Sequence, residues 1–159
     1  MRLLWVDDDG PARFRYEEAV LKEDRGCQVG WAASVAAALH ALRSELYDAI
    51  VLDQMLPITD SSPVSDYWGG CVILHWLKLS SYPPTAPPSE QPQLFQGPPP
   101  IAANVAAPVC FVSAFNDDDV HRELLRACAD MPIFAKPLEL AVLERFLDAA
   151  LGSKPADAE

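Results

Sequence analysis

Residues 49–57 read AIVLDQMLP, and their pattern indicates the kind of sheet that the chain forms. It begins with four apolar residues without polar alternation, which is typical of a strand buried on both faces of a parallel sheet. The run ends at Asp53, and a loop containing Pro57 follows. Four further apolar runs have strand length: Leu3–Val6, Val29–Ala33, Val109–Val112 and Ile133–Ala135. The chain therefore has five predicted strands.

Segments with helical spacing lie between these strands. The first is Pro11–Arg25, with proline in its first turn, where the missing N–H costs nothing. Ser34 is a candidate N-cap of the second. Leucines recur on one face of that second helix: Leu39, Leu42 and Leu46. The remaining three predicted helices are Gly70–Leu79, Asp117–Ala129 and Leu138–Leu151. This alternation predicts a three-layer α/β sandwich with helices on both faces of the sheet.

Length and charge limit the class of protein. The chain has 159 residues and a formal net charge of −11. That length fits one domain with a full core, and the acidity makes nucleic acid and anionic membranes poor partners. No apolar run approaches the ~20 residues of a membrane span, and no signal-peptide layout is present. The four cysteines lack ligand-like spacing, so we expect reduced thiols in a cytoplasmic protein.

One segment differs in composition from the rest of the chain. Nine of the fifteen prolines lie between positions 82 and 108, and Glu90 is the only charged residue from Leu79 to Asn116. Proline favours extended backbone and excludes a long helix. We therefore predict a single domain over residues 1–152, interrupted by a proline-rich insertion at about 80–108, with a disordered tail at 153–159. The insertion is either a spacer or a partner-docking segment, with Leu94 and Phe95 as candidate anchors.

Polar side chains follow four of the five predicted strands. Asp7 and Asp8 follow the first, Asp53 the third, Ser113 the fourth and Lys136 the fifth. The carboxyl ends of parallel strands meet at one edge of a sheet, where such folds bind ligands. Each residue alone has an ordinary interpretation as a cap, a turn residue or a surface residue. Their coincidence at one edge favours a functional site.

The residue types at this edge suit phosphoryl transfer to a carboxylate. Asp7, Asp8 and Asp53 would bring three negative charges together, and each like-charge pair costs about 4 kcal/mol at about 4 Å and an effective dielectric constant near ~20. Lys136 and one divalent cation would neutralise the cluster. Mg²⁺ is the natural candidate, with Mn²⁺ as the alternative, because carboxylates, waters and a phosphate commonly hold it. Asp53 would be the nucleophile that becomes an aspartyl phosphate, and Ser113 would offer its hydroxyl to a phosphate oxygen.

Four segments, WVDDD, IVLDQMLP, FVSAF and FAKP, together resemble the signatures of the receiver domain of two-component response regulators. The resemblance covers nearly the whole chain apart from the insertions and the last few residues. It implies a stand-alone domain with a flavodoxin-like fold, in which a five-stranded parallel sheet in the order 2-1-3-4-5 is flanked by about five helices. It also implies a cis peptide bond between Lys136 and Pro137.

The resemblance assigns roles to the residues at the strand ends. Asp7 and Asp8 correspond to the acidic pair that binds Mg²⁺, with Asp8 the more direct ligand. Asp53 is the implied phospho-acceptor and a metal ligand, and the backbone carbonyl of Met55 is a further ligand. The remaining implied site residues are the switch hydroxyl and the phosphate-pairing lysine: Ser113 and Lys136.

The implied function is phosphorelay signalling. A sensor histidine kinase or a phosphotransfer protein would donate the phosphoryl group, and an unknown downstream protein would read the switch. We expect no direct binding of nucleic acid or membrane, and a weak homodimer through the face of helix 4, strand 5 and helix 5. The chain would not be an enzyme beyond catalysing its own aspartyl phosphorylation and dephosphorylation. A phosphorylation-independent adaptor that uses the receiver fold and its insertion is the alternative, and an Asp-nucleophile phosphohydrolase is less favoured.

The chain departs from the family pattern at several positions. Ile133 stands where the family often has an aromatic switch residue. The loop after Asp53 is longer than usual, so it either overhangs the site or forms an ordinary surface loop. Met55 and Phe115 are apolar at the two positions that flank the phosphate, which predicts slow intrinsic loss of phosphate. The candidates for overhanging residues are Asp60, Asp66, Tyr67 and Trp68.

Overall fold

The computed structural model describes residues 1–10, 14–61, 65–66, 69–79, 97–114 and 131–152. The strands in these ranges are β1 (Arg2–Val6), β2 (Gln28–Ala32), β3 (Ala49–Asp53), β4 (Leu56–Pro57), β5 (Ser65–Asp66), β6 (Val109–Ser113) and β7 (Ile133–Ala135). The helices are α1 (Arg15–Arg25), α2 (Val35–Ser44), α3 (Gly69–Leu79), α4 (Ala102–Ala106) and α5 (Leu140–Gly152). The five predicted strands agree with β1, β2, β3, β6 and β7 to within one residue at each end.

Five parallel strands form the central sheet in the order β2-β1-β3-β6-β7. Counting only these five strands, the order is 2-1-3-4-5, so the predicted flavodoxin-like fold is confirmed. Every residue of the central strand β3 is buried, as its unbroken apolar run indicates. Strands β4 and β5 form a separate antiparallel pair directly after β3. All five main strands therefore present their carboxyl ends at one edge of the sheet.

Helices cover both faces of the sheet and produce two apolar cores. Ile50 and Leu52 of β3 belong to the core formed with α2 and α3, whereas Val51 belongs to the core formed with α1 and α5. This alternation follows from the two-residue period of a strand. Each helix that connects two strands packs on a face of the sheet. This packing holds the strands, and therefore their ends, in fixed positions.

Local signals place most helix ends where the sequence predicts them. The Ser34 side chain accepts a hydrogen bond from the Ala37 N–H at 3.1 Å, so it caps α2 as expected. Gly26 ends α1 with a left-handed φ of 58°. The expectation for Leu46 was wrong, because α2 ends at Ser44 and Leu46 is 52% exposed beyond it. The glutamate C-cap turns the chain toward β3 before the leucine stripe reaches that position.

The end of the predicted insertion is folded against the domain. Residues 97–108 include helix α4, and the Asn104 side chain is fully buried. Asn104 Oδ1 accepts from the Tyr47 N–H at 2.9 Å, and its Nδ2 donates to the carbonyls of Leu42 and Glu45 at 3.0 and 2.7 Å. Asn104 therefore attaches α4 to the segment between α2 and β3.

Some expectations fall on residues that the structure does not describe: the helix Asp117–Ala129, the anchors Leu94 and Phe95, Cys128 and the tail 153–159. Within the described ranges, Cys27, Cys71 and Cys110 are buried and form no disulfide. Among the helices of those ranges, none combines the length and the apolar character that crossing a membrane requires.

Candidate functional site

The strand ends bring the predicted site residues to one edge of the sheet. Asp53 is the last residue of β3 and Ser113 is the last residue of β6, while Asp7 directly follows β1 and Lys136 directly follows β7. Asp7, Asp53 and Ser113 are all buried. The strand order makes β1 and β3 neighbours, which places the carboxylates of Asp7 and Asp53 side by side. The structure therefore brings these residues to a common location.

Lys136 joins the two buried carboxylates. Its Nζ lies 2.6 Å from Asp53 Oδ2 and 2.8 Å from Asp7 Oδ2. The backbone N–H of Lys136 also donates to the Ser113 carbonyl at 2.9 Å, which continues the β6–β7 pairing by one residue. The Lys136–Pro137 peptide bond is cis, as the resemblance implies. The lysine is thus positioned by its backbone as well as by its charge.

Burial and charge shift the pKa values of these groups in a consistent way. Burial raises the pKa of Asp53 to about 6, against the opposing effect of the Lys136 ammonium and with a smaller contribution from the Asp7 charge. Burial also raises the pKa of Asp7, again partly offset by Lys136. Burial alone would lower the pKa of Lys136, but its hydrogen bonds to both aspartates raise the pKa overall. The carboxylates are therefore poorly compensated by one lysine.

Asp7, Asp8 and Asp53, which we name the acidic cluster, fit a divalent cation. Each contributes a carboxylate oxygen, and these oxygens lie within 4.8 Å of one another. Three carboxylates face one ammonium among the described residues, so the acidic cluster carries excess negative charge. Hard oxygen ligands with such a charge suit Mg²⁺. The Met55 N–H donates to Asp53 Oδ1 at 3.3 Å, and a ligand role for the Met55 carbonyl stays a prediction.

Two adjacent glycines allow α3 to approach the backbone of the acidic cluster. A Cβ atom on Gly70 would lie 2.3 Å from the Asp53 carbonyl oxygen, and one on Gly69 would lie 2.7 Å from Leu56 Cβ. The Gly70 N–H also donates to the Gln54 carbonyl at 3.1 Å. Gly70 therefore permits the packing that supports the Asp53 loop. This role of Gly70 was not predicted, although the Gly-Gly pair at the start of a helical segment is a signal for it.

The described part of the long loop after Asp53 packs on helix α2. The Ser34 hydroxyl donates to Asp60 Oδ1, and the Ala36 N–H donates to the Ile58 carbonyl at 2.9 Å. Asp60 is exposed and is not part of the acidic cluster. Of the other predicted overhanging groups, the Asp66 side chain, Tyr67 and Trp68 lie outside the described part of the chain. The structure thus assigns Asp60 to the start of α2.

The positions linked to switching lie at the start of β7, the strand that leads to Lys136. Ile133 is 38% exposed, and Phe134 packs edge-to-face on Phe146 of α5 with ring centroids 6.3 Å apart. Phe134, the aromatic residue next to Ile133, therefore packs against the core formed with α5. Phe115, the second predicted phosphate-flanking residue, lies outside the described residues.

Solved structures that resemble this chain include several receiver domains. A Francisella response regulator receiver domain matches with a TM-score of 0.63 and 21% identity, over 96% of this chain and 98% of that one. The receiver domain of a Pseudomonas aeruginosa sensor histidine kinase, with a magnesium ion coordinated in its active site cleft, matches with a TM-score of 0.61 and 22% identity, over 96% and 98%. The non-phosphorylated HemR receiver domain of Leptospira biflexa matches with a TM-score of 0.61 and 18% identity, over 99% of this chain and 98% of that one. No protein-family model and no curated protein matches the chain.

These likenesses define the class of fold. The chain has the CheY-like receiver fold over nearly its whole length. At the carboxyl edge of its sheet it carries an acidic cluster bridged by a lysine. The alternation of strands and helices predicted the three-layer fold, and the polar residues after the strands predicted the cluster. The structure brings those residues together.

Proposed function

We propose that this chain is a phosphorelay response regulator that accepts a phosphoryl group on Asp53 and thereby changes its affinity for a protein partner. The observation that carries the proposal is the position of Lys136, 2.6 Å from Asp53 and 2.8 Å from Asp7. A fixed ammonium at that point offsets the charge that an incoming phosphoryl group adds to two buried carboxylates. The receiver fold of the solved neighbours supports the proposal.

The chemistry requires an ionised Asp53. A pKa of about 6 leaves the carboxylate mostly ionised near neutral pH. One of its oxygens attacks the phosphorus atom of a phosphohistidine on a histidine kinase or a phosphotransfer protein. The P–N bond breaks, its electron pair returns to the imidazole nitrogen, and Asp53 becomes an acyl phosphate. Lys136 then pairs with phosphoryl oxygens, and the Ser113 hydroxyl donates to one of them.

The acidic cluster would hold the metal that this reaction needs. Asp7, Asp8 and Asp53, with the Met55 carbonyl, are the groups that would bind Mg²⁺. The bound ion would supply positive charge to the transferring phosphoryl oxygens. The chain itself orients the carboxylates through β1 and β3 and shields them by burial. In this proposal the chain acts only on its own Asp53 and converts no free substrate.

Intact mass spectrometry after incubation with acetyl phosphate and Mg²⁺ tests the proposal. We expect the wild-type chain to gain one phosphoryl group, and we expect no gain in Asp53→Asn or in the presence of a metal chelator. Asp9→Asn is the matched control, because its side chain lies outside the acidic cluster, and it should gain the group normally. No gain in the wild type would contradict the proposal and favour the phosphorylation-independent adaptor. Repeated turnover of acetyl phosphate without a stable adduct would instead favour the phosphohydrolase.

A further inference from the structure

A cavity of about 990 Å³ lies at the opposite edge of the sheet from the acidic cluster. Its wall includes Arg2 at the start of β1, Val109 at the start of β6 and Pro132 just before β7. The ends of α3 and α5 and the short helix α4 complete it. The volume is in the range of sites that bind small molecules, which is roughly 300–1,000 Å³.

The wall of this cavity is mostly apolar. Tyr47, Met131 and Phe146 line it, and so does Leu46, the leucine that is exposed beyond the end of α2. A large exposed leucine beside other apolar side chains favours an apolar ligand, because burying it removes hydrocarbon from water. Met131 has an unbranched, flexible side chain that adapts to the shape of a ligand.

Lys78 places one positive charge in this apolar wall. Its ammonium donates to the carbonyls of Val105 and Ala107 at the end of α4, the second at 3.1 Å. These bonds use two of its three N–H groups. Within the described part of the chain no carboxylate pairs with Lys78, and burial lowers the pKa of its ammonium. A desolvated cation without a counter-ion is unfavourable, so an anion would be stabilised there.

The other charged groups of the cavity wall already have partners. The Arg2 guanidinium pairs with Glu45 at the surface and lies over the Tyr47 ring, 5.4 Å from its centroid. The Asp48 carboxylate accepts a hydrogen bond from the Arg2 backbone N–H at 2.8 Å. Among the wall residues that the structure describes, Lys78 is therefore the cation available to a ligand. The net charge of −11 disfavours a polyanion, so the charge of the ligand should be single.

We propose that this cavity binds a small amphiphilic carboxylate, such as a medium-chain fatty acid. Its carboxylate accepts a hydrogen bond from the third N–H of Lys78, and its hydrocarbon chain packs against Leu46, Met131 and Phe146. This site is separate from the acidic cluster and does not rest on phosphorylation of Asp53.

Isothermal titration calorimetry of the full chain with octanoate and with octan-1-ol tests the proposal. The two probes share a hydrocarbon chain and differ in the charged head. We expect octanoate to bind at least about tenfold more tightly, because a hydrogen bond to a charged group adds roughly that much. In Lys78→Met, octanoate affinity should fall to that of octan-1-ol. Lys22→Met, an exposed lysine on α1, removes the same charge outside the cavity and should leave both affinities unchanged.

A second variant keeps the test decisive if Lys78→Met does not fold. Ala150→Trp on α5 fills the cavity without removing the hydrogen bonds of Lys78, and it should weaken both probes at least about tenfold. Asp53→Asn should bind octanoate as the wild type does, which separates this site from the proposed phosphorylation. Equal affinity of the wild type for the two probes, or binding of neither, would overturn the proposal.

Discussion

The Lys136 ammonium lies 2.6 Å from Asp53 Oδ2, although 83 positions separate the two residues in the chain. Strand β7 carries Lys136 to the carboxyl edge of the sheet, and β6 separates β7 from β3. The side chain of Lys136 therefore spans the end of β6 to reach Asp53, and it contacts Asp7 at the same time. Among the described residues, one cation thus compensates two buried carboxylates, and this shortage of positive charge underlies the first three predictions below.

Removing the lysine should destabilise the metal-free protein. Lys136→Met leaves Asp7 and Asp53 buried without their ammonium, so we expect the free energy of unfolding at neutral pH to fall by about 3 kcal/mol. Urea denaturation in metal-free buffer measures this loss, and adding Mg²⁺ should recover part of it. Lys22→Met, on the exposed side of α1, should change stability by less than about 0.5 kcal/mol. Equal stability of the two variants would show that Lys136 does not compensate the carboxylates.

The raised pKa of Asp53 predicts a specific pH dependence. Its pKa rises from 3.8 to about 6 on folding, so between these values the native state binds more protons than the unfolded chain. Its contribution to stability therefore falls as the pH rises through that window, by about 3 kcal/mol in total. In metal-free buffer we expect Asp53→Asn to match the wild type near pH ~4 and to exceed it in stability above pH ~6. Urea titrations across this range measure the difference, and a difference independent of pH would contradict the assignment.

Mg²⁺ affinity should depend on the acidic cluster and not on acidity in general. Asp8→Asn removes a carboxylate from the cluster, so we expect Mg²⁺ binding to weaken by at least about tenfold. Asp9→Asn keeps the backbone N–H that Asp9 donates to Asp7 Oδ1 at 2.9 Å and removes a carboxylate that lies outside the cluster, so binding should weaken much less than in Asp8→Asn. Calorimetric titration with MgCl₂ above pH ~6 compares the variants, because the carboxylates must be deprotonated to bind. Similar losses in both variants would mean that general acidity governs binding.

The side chain of Met55 should control the lifetime of the aspartyl phosphate, if Asp53 is phosphorylated as proposed. Met55 is half-buried beside Asp53, and its thioether is a poor partner for a hydrolytic water. Met55→Asn supplies a donor and an acceptor there, so we expect the phosphate to be lost about tenfold faster, within the range of positioned polar catalysis. Met55→Leu should decay as the wild type does. Intact mass measured over time after removal of acetyl phosphate gives both rates, and an unchanged rate in Met55→Asn would refute the idea.

Asn104 should contribute to stability as a core residue does. Asn104→Ala leaves the buried N–H of Tyr47 and the carbonyls of Leu42 and Glu45 without their side-chain partner, so we expect a loss of about 3 kcal/mol. Asn104→Asp keeps the acceptor but directs a carboxylate at two carbonyls, so its loss should be at least as large at neutral pH. Thermal and urea unfolding measure both. A loss below about 0.5 kcal/mol, typical of surface positions, would mean that α4 is not attached through this side chain.

Local sequence patterns were sufficient to predict the sheet and the contents of the site. Each strand of the main sheet is a short apolar run, and the two-residue period that buries Ile50 and Val51 on opposite faces is a local property of the backbone. The polar residues after these runs had to reach one edge because parallel strands share a direction. The position of Asp53 and Lys136 at the carboxyl edge was therefore predictable from the sequence, although the distance between the two residues was not.

Residues whose role depends on a distant partner were not predictable in this way. Asn104 stands in a proline-rich stretch and looks like a loop residue, yet it is buried by contacts to residues 57 or more positions away. Gly70 is needed because the Asp53 carbonyl lies where its Cβ would be. The sequence does not identify the partner in either contact, because the partners meet only when α3 and α4 pack on the sheet.

Periodicity and chain direction are local properties, so they were enough to predict which segments form the sheet and which chemical groups stand at its carboxyl edge. Three relationships could be seen only in the folded chain: Lys136 contacts two carboxylates, Asp60 binds the start of α2, and Lys78 lies in an apolar cavity. Those relationships depend on strand order and on the packing of helices far apart in the chain. They set the burial and charge of each group, and thereby its chemistry.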